Sequence, residues 1–150
     1  MSVAIPGDGC RFSRLERISG WTAMQTSPVL VLNETRKTLL ASRLRIQRAV
    51  EPRRIKAGGP ILPGDGLWVE HGHQIDTTGM PAALDLLFLD ADHRVVELIT
   101  AMVPGSLSPA VPRATGVLEL PPGTIPSTRT QIGDHILIET IDVDGRRALG

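Results

Sequence analysis

Aromatic side chains are scarce in this chain: its 150 residues include two Trp, two Phe and no Tyr. A core with so few rings must be assembled from Leu, Ile, Val, Ala and Met, and a site has little on which sugars or bases could stack. Cysteine is nearly absent. The single Cys10 excludes an internal disulfide and any multi-cysteine metal site, and its setting among Gly and Arg is that of an ordinary free thiol. Also missing are the ~20-residue apolar run of a membrane span and the apolar segment of about 7–15 residues that a signal peptide needs. With a mean hydropathy of +0.05, the expectation is a soluble, cytoplasmic protein with no membrane partner. No G-x-S-x-G elbow, phosphate-binding glycine loop or dinucleotide fingerprint occurs. Ser106 and Ser108 stand in a Pro-rich stretch with no His close in sequence.

Net charge is zero but unevenly spread. Residues 1–56 carry 11 Lys/Arg against 4 Asp/Glu, a net of +7, and residues 57–150 carry 5 against 12, a net of −7. Arg43, Arg45 and Arg48, followed by Arg53, Arg54 and Lys56, could hold phosphate or RNA. No aromatic residue interleaves with them, so the favoured expectation is that basic and acidic segments lie against each other.

Pattern along the chain points to strands. Residues 1–27 read as a loosely structured extension, with one possible helical turn at 13–18, and 28–150 as a single β-rich domain. Val29-Leu30-Val31-Leu32 is a strand, Asn33-Glu34-Thr35-Arg36 a turn, and 37–46 returns with apolar residues at period two. A helix over 36–50 competes with that hairpin. Ten of the twelve prolines fall between Pro52 and Pro126, which excludes a long helix there. Leu67 to Glu70 is a strand. Leu84 to Leu89 is almost wholly apolar, hence covered on both faces, and Asp90-Ala91-Asp92-His93 turns it into a second arm over 94–103. Strands follow at 115–120 and 135–141, with a turn of helix opening at Pro121-Pro122-Gly123-Thr124. Asp144-Gly145 is a further turn, leading to a short edge strand or tail at 146–149. The fold class expected is mainly β, marginally α+β: a distorted antiparallel sandwich or barrel of seven or eight short strands.

Several residues invite chemistry. His71 and His73 fall on one strand face if the strand continues, and with Asp76 they would make a metal triad, though the spacing is no defined zinc signature. Asp90 and Asp92 read as turn formers. Asp85 lies within a buried strand, where a carboxylate needs a partner: an arginine, backbone N–H groups, or a role as an acid–base group. Met80 reads as a core filler and Glu119 as facing outward.

Five phrases carry a resemblance. They are Asn33-Glu34-Thr35-Arg36, the stretch from Leu62 to Trp68, Thr77-Thr78-Gly79-Met80 with Leu84-Asp85, Phe88-Leu89-Asp90 with Arg94-Val95, and Val117 to Thr124 with Gly133-Asp134. In this order they resemble the bacterial and archaeal family known as domain of unknown function 192. The resemblance implies a β-sandwich-like fold and no particular activity. Departures are visible. Asp76, Thr77 and Thr78 stand where the family usually has an aromatic or His-Thr-Phe, Pro81-Ala82-Ala83 where it has a basic or polar residue and a Pro, and residues 53–59 where it has Arg before Gly-Leu-Met. A diverged site is the inference. The function expected is a non-catalytic domain that binds a small molecule or protein near Thr78, Met80 and Asp85, without a cofactor. The alternatives are an enzyme using Asp85 or a metal on His71, His73 and Asp76, and an anion or RNA binder using Arg43, Arg45, Arg53 and Arg54.

Overall fold

Strands form where β-branched and apolar residues run together, and they break where Gly, Pro, Asn and Asp gather. The computed structural model describes residues 24–27, 29–48, 55–57 and 59–140. Its strands are β1 (Met24–Ser27), β2 (Val29–Asn33), β3 (Thr38–Ala41), β4 (Arg43–Arg48), β5 (Ile55–Lys56), β6 (Asp65–Glu70), β7 (Ile75–Asp76), β8 (Leu84–Leu89), β9 (Val95–Met102), β10 (Gly116–Leu120) and β11 (Ile136–Thr140). A short helix, here α1, spans Thr124–Thr128 and contains Pro126. Cys10, the 13–18 turn, Arg53, Arg54 and the 144–149 turn and tail lie outside the described residues.

Six strands form one sheet in the order β1-β4-β6-β10-β8-β9, and three form a second in the order β11-β2-β3. The β5–β7 pair is a minor ladder. The architecture is the expected mainly β, distorted sandwich, and the described strands do not close into a barrel. The strand count exceeds the seven or eight expected, and the pairing is not wholly antiparallel, since β4 runs parallel to β6 and β5 to β7. A parallel pair needs a long crossover, which the sixteen residues between Arg48 and Asp65 supply.

The arm expected over 37–46 is two strands. The chain changes sheets at Ser42, where the N–H groups of Ser42 and Arg43 both donate to the Gly64 carbonyl, at 2.9 and 3.1 Å. β3 pairs with β2 and β4 with β1 and β6, so the competing helix over 36–50 is overturned across its described part. Met24–Ser27, read as part of the extension, instead forms the edge strand β1.

Side-chain alternation builds two apolar layers on the larger sheet. Leu87, Leu89, Leu118, Leu120 and Trp68 face the smaller sheet and meet Val29, Val31, Ile125 and Ile136. Leu84, Leu86, Phe88, Val117, Leu67 and Val69 face the other way and are covered by Ile61, Ile75, Met80, Met102, Val111 and Ala114. β8 is thus buried on both faces, as its unbroken apolar run predicts. Glu119 corrects an expectation. It is fully buried, because β10 also lies inside and has no outward face.

The two sheets are tied together through the loop before β11, where Val95 N–H donates to the Asp134 carbonyl and Ile136 N–H to that of His93, each at 2.9 Å, and the β2–β3 turn holds the same loop. Buried Asn33 donates to Thr130 Oγ1 at 3.1 Å and to Asp134 Oδ2 at 2.9 Å, and Arg36 Nε reaches the same Asp134 oxygen at 3.0 Å. At the β8–β9 turn Asp90 Oδ1 accepts from the N–H groups of Asp92 and Arg94, the short polar turn that its sequence announces.

Trp68 lies over the backbone at Gly116. A Cβ there would sit 2.2 Å from a Trp68 ring carbon, so glycine is required by the close approach rather than by its dihedral angles. Gly116→Ala is expected to lower stability by about 1–3 kcal/mol, the usual cost of overpacking. Adding Trp68→Leu should recover part of that loss in the double variant, as read from urea midpoints.

Candidate functional site

Beyond β6 the chain leaves the sheet, and two irregular segments zip together over its second apolar layer. Thr77 N–H donates to the Ser106 carbonyl at 2.8 Å, Ser108 N–H to that of Ile75 at 2.9 Å, and Val111 N–H to that of His73 at 2.9 Å. Side chains complete the seam. Ser108 Oγ accepts from Ile75 N–H at 2.9 Å and donates to the Pro109 carbonyl, which leaves this serine a structural rather than nucleophilic group. Buried Thr77 Oγ1 donates within reach of the Val103 carbonyl at 2.8 Å and accepts from Ser106 N–H at 2.9 Å.

On the outer side of this seam is an open cavity of about 400 Å³, lined by His73, Gln74, Ala110 and Pro112. Its two polar residues are each held at one end. His73 Nδ1 lies 2.9 Å from the Ala114 carbonyl. A carbonyl only accepts, so Nδ1 carries a proton and Nε2 is the ring nitrogen left over. Gln74 Nε2 donates to the Ser108 carbonyl at 2.8 Å, which leaves its Oε1 as an acceptor.

The residues expected to bind ligand are not brought together. Thr78 is exposed in a turn whose N–H donates to Asp76 Oδ1 at 2.9 Å, while Met80 is core, as expected, in the layer away from the smaller sheet. Asp85 points through the opposite face of β8, because alternation sends residues 85, 87 and 89 one way and 84, 86 and 88 the other. Its carboxylate is fully buried. Oδ1 accepts the Ala101 N–H and Oδ2 the Ile125 N–H, each at 2.8 Å. Ala101 lies in a bulge of β9 with φ of 50°, and Ile125 is in the first turn of α1, whose N-cap Gly123 offers no side chain. Of the partners open to Asp85, the backbone is the one the fold uses, and it keeps the carboxylate away from any cleft.

The metal triad does not assemble either. β6 ends at Glu70, and His71 turns away with φ of 65°, so the two imidazoles do not share a strand face. Asp76 is buried. Among the described residues no three His, Cys, Asp or Glu side chains form a metal-holding group. In the basic segment, Arg43 Nε lies 2.8 Å from Asp65 and Arg48 Nε 3.0 Å from Glu70, along the parallel β4–β6 pair. Arg45 also has an interaction partner, and with Arg43, Asp65 and Gly66 it lines a hollow of about 100 Å³.

Sequence reasoning singled out His73, for a different role, and missed Gln74, Ala110 and Pro112. Their proximity depends on hydrogen bonds between irregular segments, which have no periodicity to read.

Two groups have displaced acidities. Burial pushes the Asp134 carboxyl up, but hydrogen bonds from Arg36, Asn33 and the Gln131 N–H, with the Arg36 charge, outweigh it and hold the carboxyl below its ordinary range. Burial, then the charge of His135, pushes His93 down, against weaker opposing effects of Asp90 and a backbone hydrogen bond at Ile136. His93 also meets the Trp68 ring edge-on, with centroids 5.5 Å apart.

The family profile described as DUF192, uncharacterized ACR, matches residues 60–138, more than half of the chain. The chain belongs to this family. Within this DUF192 member the match covers both seam segments and strands β6 to β10. A crystal structure of a candidate transcription regulator from Sinorhizobium meliloti 1021 is similar over 78% of this chain and 96% of its own, at 19% identity and a TM-score of 0.59. A protein of unknown function from Novosphingobium aromaticivorans is similar over 77% of this chain and 87% of its own, at 17% identity and a TM-score of 0.52. At such identities the likeness is one of fold. No curated protein matches. Among the described residues no helix is long and apolar enough to cross a membrane.

Two outcomes follow from this geometry. Asp85→Ala strands the buried Ile125 N–H and the half-buried Ala101 N–H and should cost about 3 kcal/mol, roughly 10 °C in melting temperature, with Asp85→Asn in between. Because the Asp134 carboxyl is held low, its stabilisation is present above the unfolded pKa of about 3.9 and is lost as pH falls through the folded value. Urea midpoints measured from pH 6 to pH 2 should therefore drop less steeply for Asp134→Asn than for the parent.

Proposed function

We propose that this DUF192 domain is a non-catalytic binding module whose ligand is a small molecule held in the cavity lined by His73, Gln74, Ala110 and Pro112. The observation that carries this is the pairing of His73 and Gln74 on that cavity wall, each fixed at one end and free to hydrogen-bond at the other. Preorganised polar groups set in an apolar concavity are the usual construction of a ligand pocket, and a volume of about 400 Å³ lies in the ordinary range. Against catalysis stands the use of Asp85 and Ser108 as internal supports of the fold.

A fragment library screened by amide NMR should give hits that shift the His73, Gln74 and Val111 resonances together. A fragment at a hundred times its dissociation constant adds about 2.7 kcal/mol of stability, several degrees in a thermal melt. Ala110 is exposed, so Ala110→Trp should fill the cavity with little change in melting temperature and abolish those shifts. Hits that survive this substitution would place the site elsewhere.

A further inference from the structure

The hydrogen-bond directions in the cavity fix the kind of ligand it can take. We infer, on the basis of the cavity reading above, that the ligand is a largely apolar molecule presenting a hydrogen-bond donor, a hydroxyl or N–H, to His73 Nε2 and Gln74 Oε1.

His73 Nδ1 faces a carbonyl, which cannot donate, so this nitrogen holds a proton, and in a neutral imidazole so placed the lone pair is at Nε2. No second bond to this ring occurs among the described residues. The same logic applies to Gln74. Its NH₂ group must face the Ser108 carbonyl, so Oε1 is left as an acceptor beside the second N–H of the amide. Two acceptors next to each other in sequence thus share one cavity wall, and the remaining described wall is the methyl of Ala110 and the ring of Pro112. None of the described lining residues is Asp, Glu, Lys or Arg. A ligand oxygen without a proton would bring an acceptor against His73 Nε2 and Gln74 Oε1 and leave both unsatisfied. A donor on an apolar body satisfies both polar atoms and covers both apolar residues.

The test uses the full chain and three matched probes: 2-naphthol, which has a donor, 2-methoxynaphthalene, which has the same rings without one, and 2-naphthoate. Long-range proton–nitrogen correlation spectra first read the His73 tautomer in the free protein, where the Nδ1–H form is expected. Titrations followed on the His73, Gln74 and Val111 amides should then give 2-naphthol the tightest binding of the three, about 5–20-fold over 2-methoxynaphthalene. His73→Asn retains a donor near the Nδ1 position but removes Nε2, so it should reduce the naphthol preference to about two-fold or less. His73→Phe serves as a second variant that keeps the ring bulk. Equal binding of naphthol and its methyl ether at these amides, or an Nε2–H tautomer, overturns donor recognition and leaves the cavity reading standing. If none of the three probes moves these amides while fragments bind elsewhere, the cavity reading falls, and the inference with it.

Discussion

Everything else in this fold answers to the burial of its two central strands on both faces. All six residues of β8 and all five of β10 are inside. Each fully buried leucine or valine there contributes about 1.5–3 kcal/mol relative to exposure, but only while both covering layers stay in place. One layer is the smaller sheet, pinned through Asn33, Arg36 and Asp134. The other is made from largely irregular chain, the 59–64 and 71–83 segments and the 103–115 stretch, whose backbone polar groups must be satisfied individually. The dense cross-bonding of Thr77 and Ser108 is the result.

The same constraint governs the acidic residues. A carboxylate on a strand with no solvent face must find donors or not ionise. Asp85 finds two backbone N–H groups that nothing local could satisfy, one freed by the bulge at Ala101 and one from the opening turn of α1. A single side chain in the middle of the sheet therefore sets both the shape of an edge strand and the position of a helix.

Much of the architecture was legible in the sequence, for a physical reason. Strands such as Leu84–Leu89 announce themselves by continuous apolar character, and the 90–93 turn by Asp placed to bond its own backbone. The change of sheets at Ser42 was not legible, because period-two alternation runs straight through it and only the Gly64 carbonyl, 22 residues away, marks the corner. Glu119 misled because a charged residue between aliphatics signals an outward face only when the strand has one. His71 and His73 suggested a metal because strand continuity was assumed past Glu70, where the backbone instead enters a left-handed turn. The cavity itself had no linear signature. It exists because two segments more than 30 residues apart become neighbours, and functional groups on such loops depend on a rigid support beneath them.

The contacts that close the smaller sheet also dictate a schedule for folding. Asn33 meets Asp134 across a separation of 101 residues, and β2 is flanked by β11 from the far end of the described chain. A chain emerging from the ribosome can form the β8–β9 hairpin early, from neighbours in sequence. Until residues 130–140 have appeared, however, β2 and β3 lack their third strand and the turn at Asn33 lacks its carboxylate. Topologies dominated by such distant pairings fold slowly, on the millisecond-to-second scale rather than in microseconds. During that interval the apolar layer that Val29, Val31 and Leu40 share with Ile136 is incomplete, so the smaller sheet cannot finish closing over β8 and β10 until β11 arrives.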